Sequence, residues 1–318
     1  MRLIFMGSPK FAIPSMERLL ESKHKIEAVV TQPAKPAGRG QKLTPTPVKE
    51  LALKAGLPVF EPEKLKGTDF HETMAGFKPD ALAVVAYGKI LRPDVLHVPR
   101  LGSVNVHASL LPKYRGAAPV QWAIIRGERK TGVTVMKLDE GMDTGDILES
   151  AELEILEDDD AESLSNALAV MGADLLIQVL DRAEERDAIA GRPQDDSQAS
   201  YAPMLKKEDG HIDWSRRCED ILCHVRGASP WPGAFSFLGD KTLGVRRAER
   251  LAPHEAPLAG DRQPEPGEIA GVLKGGGVIV RAADGYLLLT RVQPPGKREM
   301  GAFDCFNGGL LRIGQRLT

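Results

Sequence analysis

Cysteine and long apolar runs are scarce in this sequence, and each scarcity excludes a class of protein. The three cysteines, Cys218, Cys223 and Cys305, form neither an even disulfide framework nor a paired Cys-x-x-Cys zinc spacing. No run of about 18 apolar residues is present, so we expect no membrane-spanning helix. The apolar start, RLIFMGSPKF, lacks the small-residue cleavage region of a signal peptide. We therefore expect a cytoplasmic protein with reduced thiols and no membrane association.

Overall charge is also small, although its distribution is uneven. The formal net charge is −2, with 42% hydrophobic and 27% charged residues, as in an ordinary globular protein with length enough for two domains. Residues 1–50, however, contain nine basic and four acidic side chains, and residues 201–318 contain 17 and 14. A local basic excess is compatible with a polyanionic partner, but a solvated charged face gives excesses of this size too.

The first 180 residues alternate short apolar segments with helical patterns. The segments predicted as strands are 2–6, 26–31, 80–86, 103–107 and 133–138, and helical patterns occupy 11–21, 46–55, 69–76 and 118–126. This alternation predicts an α/β, Rossmann-like fold with a mostly parallel sheet. A glycine, Gly7, follows the first strand, but G-x-G-x-x-G is absent, so no dinucleotide cofactor is indicated.

The second part of the chain has a different pattern. A long amphipathic helix begins after Asp158, and the polar residues 188–210 then resemble an interdomain linker. One further helix near 215–226 and five short strand-like runs follow, with a hairpin signal at Asp284-Gly285. We expect one domain over residues 1–189, a linker over 190–206, and a small, mostly antiparallel β-barrel domain over 207–318.

Polar side chains lie at the end of the fourth predicted strand. Asn105 and His107 are two residues apart, so they share one face of the strand about 7 Å apart. In open parallel sheets, ligands bind at the carboxyl ends of the strands, and we expect the acidic loop after the next strand to bring Asp143 to the same edge. An amide, an imidazole and a carboxylate can stabilise an oxyanion and manage one proton, as acyl transfer to an amine requires.

Other interpretations of these residues remain open on the pattern alone. A single histidine at a strand end is commonly structural, and an acidic loop is commonly a solvated turn. A calcium loop is not indicated, because D-x-D-x-D-G spacing is missing, and Ser109 lacks the G-x-S-x-G context of a nucleophile.

Several ordered blocks resemble the formyltransferase family that uses 10-formyltetrahydrofolate. These blocks are NVHASLLP at 105–112, YRGAAP at 114–119, and GVT at 132–134 followed by DEGMDTGD at 139–146. Within that family the chain is similar to the enzymes that act on methionyl-initiator tRNA. The similarity extends to TQP at 31–33, PAGRG at 36–40, IDW at 212–214, PWPG at 230–233 and GQRL at 314–317.

The resemblance implies a reaction and a set of residues. Asn105, His107 and Asp143 match the family's catalytic residues, and the mechanism implied is direct attack of the amine on the formyl carbon, without a covalent enzyme intermediate. Asn105 and His107 would hydrogen-bond the oxyanion, while Asp143 would orient His107 and assist proton transfer to N10. The implied co-substrate is 10-formyltetrahydrofolate, with no metal. Residues matching the folate-contacting segments are Ser109, Leu110, Leu111, Pro112, Ala86, Tyr87, Gly88, Ile90 and Leu91.

The resemblance also implies an RNA partner. The basic segment with Lys35, Arg39 and Lys42 is similar to the inserted loop that approaches the acceptor stem of methionyl-initiator tRNA. We expect Arg39 to make the main contact, because guanidinium binds phosphate or base edges bidentately, whereas lysine supplies mainly a point charge. The C-terminal domain is expected to be an OB-like, tRNA-binding barrel, and the protein a monomer.

Two other functions would share part of these features. A formyltransferase for another amine, such as an amino-sugar nucleotide or glycinamide ribonucleotide, would share the Asn, His and Asp chemistry. A non-catalytic RNA-binding protein would retain the basic loop and use the sheet edge only as structure. The glycine-rich basic loop and second domain argue against the first, and the three catalytic residue types argue against the second.

Overall fold

The computed structural model describes residues 1–37, 42–65, 69–252 and 263–318. Its strands are β1 Arg2–Gly7, β2 Lys25–Val30, β3 Lys35–Ala37, β4 Lys42–Thr44, β5 Val59–Phe60, β6 Ala81–Val85, β7 Gly102–His107, β8 Arg115–Gly116, β9 Lys130–Lys137, β10 Ile147–Glu154, β11 Tyr201–Ala202, β12 Phe235–Leu238, β13 Lys241–Leu251, β14 Ile269–Leu273, β15 Gly277–Arg281, β16 Tyr286–Gln293 and β17 Met300–Gly301. Its helices are α1 Ile13–Glu21, α2 Pro47–Lys54, α3 Phe70–Gly76, α4 Pro93–Leu96, α5 Pro119–Ile125, α6 Ala161–Arg186, α7 Cys218–Gly227 and α8 Ala302–Asn307.

Two compact units are present. The N-terminal unit comprises residues 1–119, 130–154 and 165–203, and the C-terminal unit comprises residues 120–129, 155–164 and 204–318. Neither unit is one continuous stretch of chain, because α5 and the start of α6 group with the C-terminal unit. The domain boundaries expected from the sequence therefore remain a prediction.

The N-terminal unit is built on a seven-stranded sheet with the order β10-β9-β7-β6-β1-β2-β5. Strands β5, β2, β1, β6 and β7 are parallel, whereas β9 runs antiparallel to β7 and β10 antiparallel to β9. The middle strand, β6, is a continuous apolar run with all five residues buried, as a strand covered on both faces requires.

Helix α6 packs against this sheet at β7 and β9. Gly172 lies so close to the side chains of Val106 and Val133 that a Cβ atom would not fit there without movement. By length and composition this helix could cross a membrane, but half of its most apolar window is buried inside the protein. A core helix of a soluble protein meets the same criteria, so the observation is weak support for a membrane span.

The C-terminal unit is an antiparallel sheet with the order β12-β13-β16-β15-β14, and β17 pairs with β16. Its core contains apolar residues from α7, the sheet and α8, including Ile221, Val245, Val280, Leu289 and Cys305. Strands β15 and β16 form the hairpin predicted at Asp284-Gly285. The predicted fold class, a mostly parallel α/β sheet followed by a small antiparallel β unit, is confirmed.

Candidate active site

The candidate site lies at the carboxyl end of β7, in the middle of the N-terminal sheet. Asn105 and His107 share one face of this strand, opposite the buried Val104 and Val106. Asn105 is half-buried, and its side-chain amide makes no hydrogen bond within the described residues. An amide without a protein partner at this depth is available to a ligand.

His107 is 6% exposed, and both of its ring nitrogens face polar atoms. Nε2 lies 2.9 Å from the carbonyl oxygen of Tyr114. Because a carbonyl only accepts, Nε2 carries a proton and donates it there. Nδ1 lies 3.7 Å from Oδ2 of Asp143, so the other nitrogen is directed toward the carboxylate. The structure thus brings His107 and Asp143 together.

The loop that carries Asp143 approaches His107 from a different direction than the sequence predicts. Strand β9 is antiparallel to β7, so its end lies at the opposite edge, where Leu138 N–H bonds to the carbonyl of Ser103 at 2.8 Å. The prediction that β9 ends beside the carboxyl end of β7 is therefore wrong, although Asp143 does lie near His107. The loop after β9 returns along the sheet, and Asp143 adopts a left-handed backbone with φ of 56°. Its Oδ2 accepts a hydrogen bond from Gly116 N–H at 2.8 Å.

Residues 109–112 form a tight turn directly after β7. The hydroxyl of the fully buried Ser109 donates to the carbonyl of Lys113 at 2.6 Å. Thr134 Oγ1 donates to the Ser109 carbonyl at 2.7 Å and accepts from Leu111 N–H at 3.1 Å. The side chain of Leu111 is packed in a core cluster, whereas Leu110 and Pro112 are half-buried. Of the predicted folate-contacting side chains in this turn, Leu110 and Pro112 are thus the more accessible ones.

The loop after β6 contains the second predicted folate segment. Ala86 and Gly88 are exposed and have left-handed backbones, with φ of 48° and 77°. The side chain of Ile90 is 86% exposed. Tyr87 and Leu91 instead belong to the apolar core of the unit, and burial raises the pKa of Tyr87 to about 12. Only the exposed three can present side-chain or Cα surface to a ligand in this arrangement.

Two of the predicted RNA-contacting residues lie on the paired strands β3 and β4, which we call the β3–β4 hairpin. Lys35 and Lys42 are both exposed, while Arg39 lies outside the described residues. Lys35 Nζ donates to Gln32 Oε1 at 2.7 Å, and Gln32 Nε2 donates to the carbonyl of Tyr87 at 2.8 Å. Gln32 therefore links this hairpin to the loop after β6.

One cluster in the part of the chain that the structure describes has metal-like spacing. It consists of His24, Asp181 and Glu184. The ammonium group of Lys23 lies 3.0 Å from Asp181 and 3.2 Å from Glu184, so a protein cation already neutralises these carboxylates. The cluster shares no residue with the candidate active site.

Several residues that support the site are assigned no role by any sequence pattern. Thr134 hydrogen-bonds to two backbone groups of the turn after β7. The hydroxyl of Ser200 accepts a hydrogen bond from Tyr114 N–H at 2.9 Å. Gln194 donates to the carbonyls of Asp143 and Gly145 at 2.8 and 2.7 Å. Both Ser200 and Gln194 belong to the polar segment predicted as a linker, where neither periodicity nor a motif marks them. Two neighbouring signals do exist in the sequence: Thr134 lies in the GVT block, and Arg115, which donates hydrogen bonds to Gln194, lies in the YRGAAP block.

Comparisons with known proteins extend these observations to the whole chain. A family model described as formyl transferase matches residues 1–180, and one described as formyl transferase, C-terminal domain, matches residues 204–310. The methionyl-tRNA formyltransferase of Citrifermentans bemidjiense is 45% identical over 314 residues, covering 99% of this chain and 95% of that protein.

Solved structures show the same fold at lower identity. HypX of Aquifex aeolicus in complex with tetrahydrofolic acid superposes with a TM-score of 0.65 at 18% identity, covering 98% of this chain and 48% of that one. Methionyl-tRNA formyltransferase from Clostridium thermocellum superposes with a TM-score of 0.53 at 19% identity, covering 78% and 93%. Because the family models match most of the chain and a relative matches nearly all of it, this protein belongs to the formyl transferase family.

Proposed function

We propose that this protein transfers the formyl group of 10-formyltetrahydrofolate to the α-amino group of methionyl-initiator tRNA. The observation that carries the proposal is the His107–Asp143 pair, with Nδ1 and Oδ2 3.7 Å apart, on the strand face that also carries Asn105, whose amide has no hydrogen-bond partner among the described residues. Near full-length similarity to proteins named methionyl-tRNA formyltransferase supports the choice of acceptor.

In the proposed reaction, the amine nitrogen attacks the formyl carbon and the carbonyl oxygen becomes an oxyanion. Asn105 donates a hydrogen bond to this oxygen, and a donor of this kind contributes roughly 2.7 to 4 kcal/mol. Nδ1 is the ring nitrogen of His107 that can take part in the reaction, because Nε2 is hydrogen-bonded to the Tyr114 carbonyl. Asp143 orients His107 and assists transfer of the amine proton to N10 as the N10–carbon bond breaks.

The proposed folate site lies between the two loops at this end of the sheet. The exposed backbone at Ala86 and Gly88 and the half-buried Leu110 and Pro112 are accessible to a flat ring, with Ile90 at the margin. Ser109, Leu111, Tyr87 and Leu91 contribute by supporting these loops, since their side chains are buried. Pockets with apolar walls and a few fixed polar groups are typical of cofactor sites.

The proposed RNA contact is the hairpin of Lys35 and Lys42 together with Arg39. Exposed ammonium groups can approach phosphates without loss of packing. Arg39→Ala is expected to weaken use of the tRNA far more than folate binding. Equal loss of both would remove Arg39 from this role.

The direct test uses the purified protein with 10-formyltetrahydrofolate and methionyl-initiator tRNA. Formyl-methionine on the tRNA, detected by mass spectrometry, is the expected product. A parallel reaction with an amino-sugar nucleotide tests the other acceptor class. Formylation of the sugar with no product on tRNA would refute the proposed acceptor, and a failure to bind folate would refute the enzyme class.

A further inference from the structure

Gln194 holds the backbone on both sides of the proposed catalytic carboxylate. Its side-chain Nε2 donates to the carbonyl of Asp143 at 2.8 Å and to the carbonyl of Gly145 at 2.7 Å. Both hydrogens of the amide are thereby used. The residue is 51 positions along the chain from Asp143, so these bonds tie a distant segment to the loop.

Arg115 in turn fixes the orientation of this amide. Its Nε and Nη2 atoms donate to Gln194 Oε1 at 3.1 and 2.8 Å, and Nη2 also lies 2.7 Å from the carboxylate of Asp196. A guanidinium group only donates and carbonyls only accept, so the oxygen and nitrogen of the Gln194 amide have a single consistent assignment. Arg115 itself is 3% exposed, whereas its partner carboxylate is 80% exposed.

The carboxylate of Asp143 is held from the other side by the same strand. Gly116, next to Arg115 in β8, donates its N–H to Asp143 Oδ2 at 2.8 Å. Strand β8 therefore acts on the Asp143 side chain directly and on its backbone through Gln194. Asp143 has a φ of 56°, in the left-handed region that costs free energy for residues other than glycine, so bonds on both sides of it help to keep this conformation.

We propose that Gln194 is a positioning residue for the formyl transfer, held by Arg115 and acting through Asp143. This inference rests on the proposed function. By fixing the returning loop, Gln194 keeps Oδ2 of Asp143 within reach of Nδ1 of His107. A misplacement of about 1 Å can cost roughly 100-fold in rate, so the contact affects turnover more than ligand binding.

The test is the near-isosteric substitution Gln194→Met, which removes the amide and keeps the length of the side chain. The matched control is Gln198→Met, because Gln198 is in the same segment and its amide bonds only to Asp195 among the described residues. For Gln194→Met we expect kcat to fall about 10- to 100-fold, with KM for both substrates and folate affinity changed less than about 2-fold. Gln198→Met should leave all of these values unchanged.

The same substitution in an Asp143→Asn background distinguishes positioning from a general structural role. If Gln194 acts through Asp143, the residual rate of Asp143→Asn falls by less than about 2-fold when Gln194→Met is added. A loss as large as that in the wild-type background would overturn the proposal. So would a kcat for Gln194→Met equal to that of the control, or a matching loss of folate affinity.

A second measurement does not depend on activity. Hydrogen exchange at the Gly116 amide, which bonds to Asp143, should be faster in Gln194→Met than in Gln198→Met. Unchanged exchange would overturn the positioning role even if the wild-type protein formylated no tRNA. If exchange is faster in Gln194→Met but the wild-type protein formylates no tRNA, the structural role of Gln194 is supported and the proposed function is refuted.

Discussion

Two loop regions of the N-terminal unit carry the proposed function, and they differ in how they are held. In the turn after β7, Thr134 and Ser109 donate hydrogen bonds to backbone carbonyls and Ser200 accepts one from Tyr114 N–H, and much of the turn is buried. The β3–β4 hairpin is exposed, and among its described lysines Lys35 has one side-chain hydrogen bond, to Gln32. The difference agrees with the two proposed roles. Hydrogen-bond donors to an oxyanion must be fixed before the reaction, whereas charged groups on long, exposed side chains can bind phosphate without such fixation.

The largest effect is expected for His107→Ala. This change removes the group that faces Asp143, so kcat should fall on the order of 100- to 10,000-fold while folate still binds. Steady-state formylation and a tetrahydrofolate titration measure the two quantities. A variant with nearly normal kcat would show that the buried end of β7 is only structural.

Thr134→Val tests whether the turn after β7 must be rigid. The substitution keeps the shape of the side chain but leaves the Ser109 carbonyl and the Leu111 N–H without this partner. We expect the free energy of unfolding to fall by about 1–3 kcal/mol and folate to bind more weakly.

Chemical denaturation and a folate titration check that expectation for Thr134→Val. Thr131→Val is the matched control, because Thr131 is also buried on β9 and has no side-chain bond among the described contacts. Equal losses in the two variants would mean that folate binding does not depend on how the turn is fastened.

The double substitution Lys35→Ala with Lys42→Ala tests the exposed hairpin. KM for the tRNA should rise while folate affinity and the unfolding free energy stay unchanged, since both side chains are exposed. If both lysines contact duplex phosphates, the slope of log affinity against log salt should decrease by about 0.9 for each. An equal effect from Lys130→Ala, an exposed lysine paired with Glu152, would argue for charge in general and against this hairpin.

Ser109→Ala should have the smallest effect. The hydroxyl donates to a backbone carbonyl, that of Lys113, and has no bond to His107 or Asp143 among the described contacts, so most of kcat should remain. A steady-state assay beside His107→Ala gives the comparison. A loss as large as that of His107→Ala would place Ser109 in the chemistry and revive a nucleophilic role for it.

Sequence patterns predicted the main elements of both units, but not the short helices α4 and α8, although α8 contributes Cys305 to the core of the C-terminal unit. The apolar runs of β1 and β6 and the Asp284-Gly285 turn are local signals, and the corresponding elements are present. Strand β10 was not anticipated, because its partly exposed, charge-rich residues lack a clean alternation. The direction of β9 was also missed, since an apolar run does not reveal whether its neighbour is parallel.

That Asn105 and His107 share one face follows from the amino-acid sequence alone, because the period of a strand is two residues. The basic charge of the segment that forms β3 and β4 follows from it as well. The return of the loop after antiparallel β9 to His107, and the bonds by which Gln194 holds that loop, depend on tertiary packing. Such contacts join residues up to 51 positions apart in the chain, and a local sequence pattern does not encode which distant segments pack together.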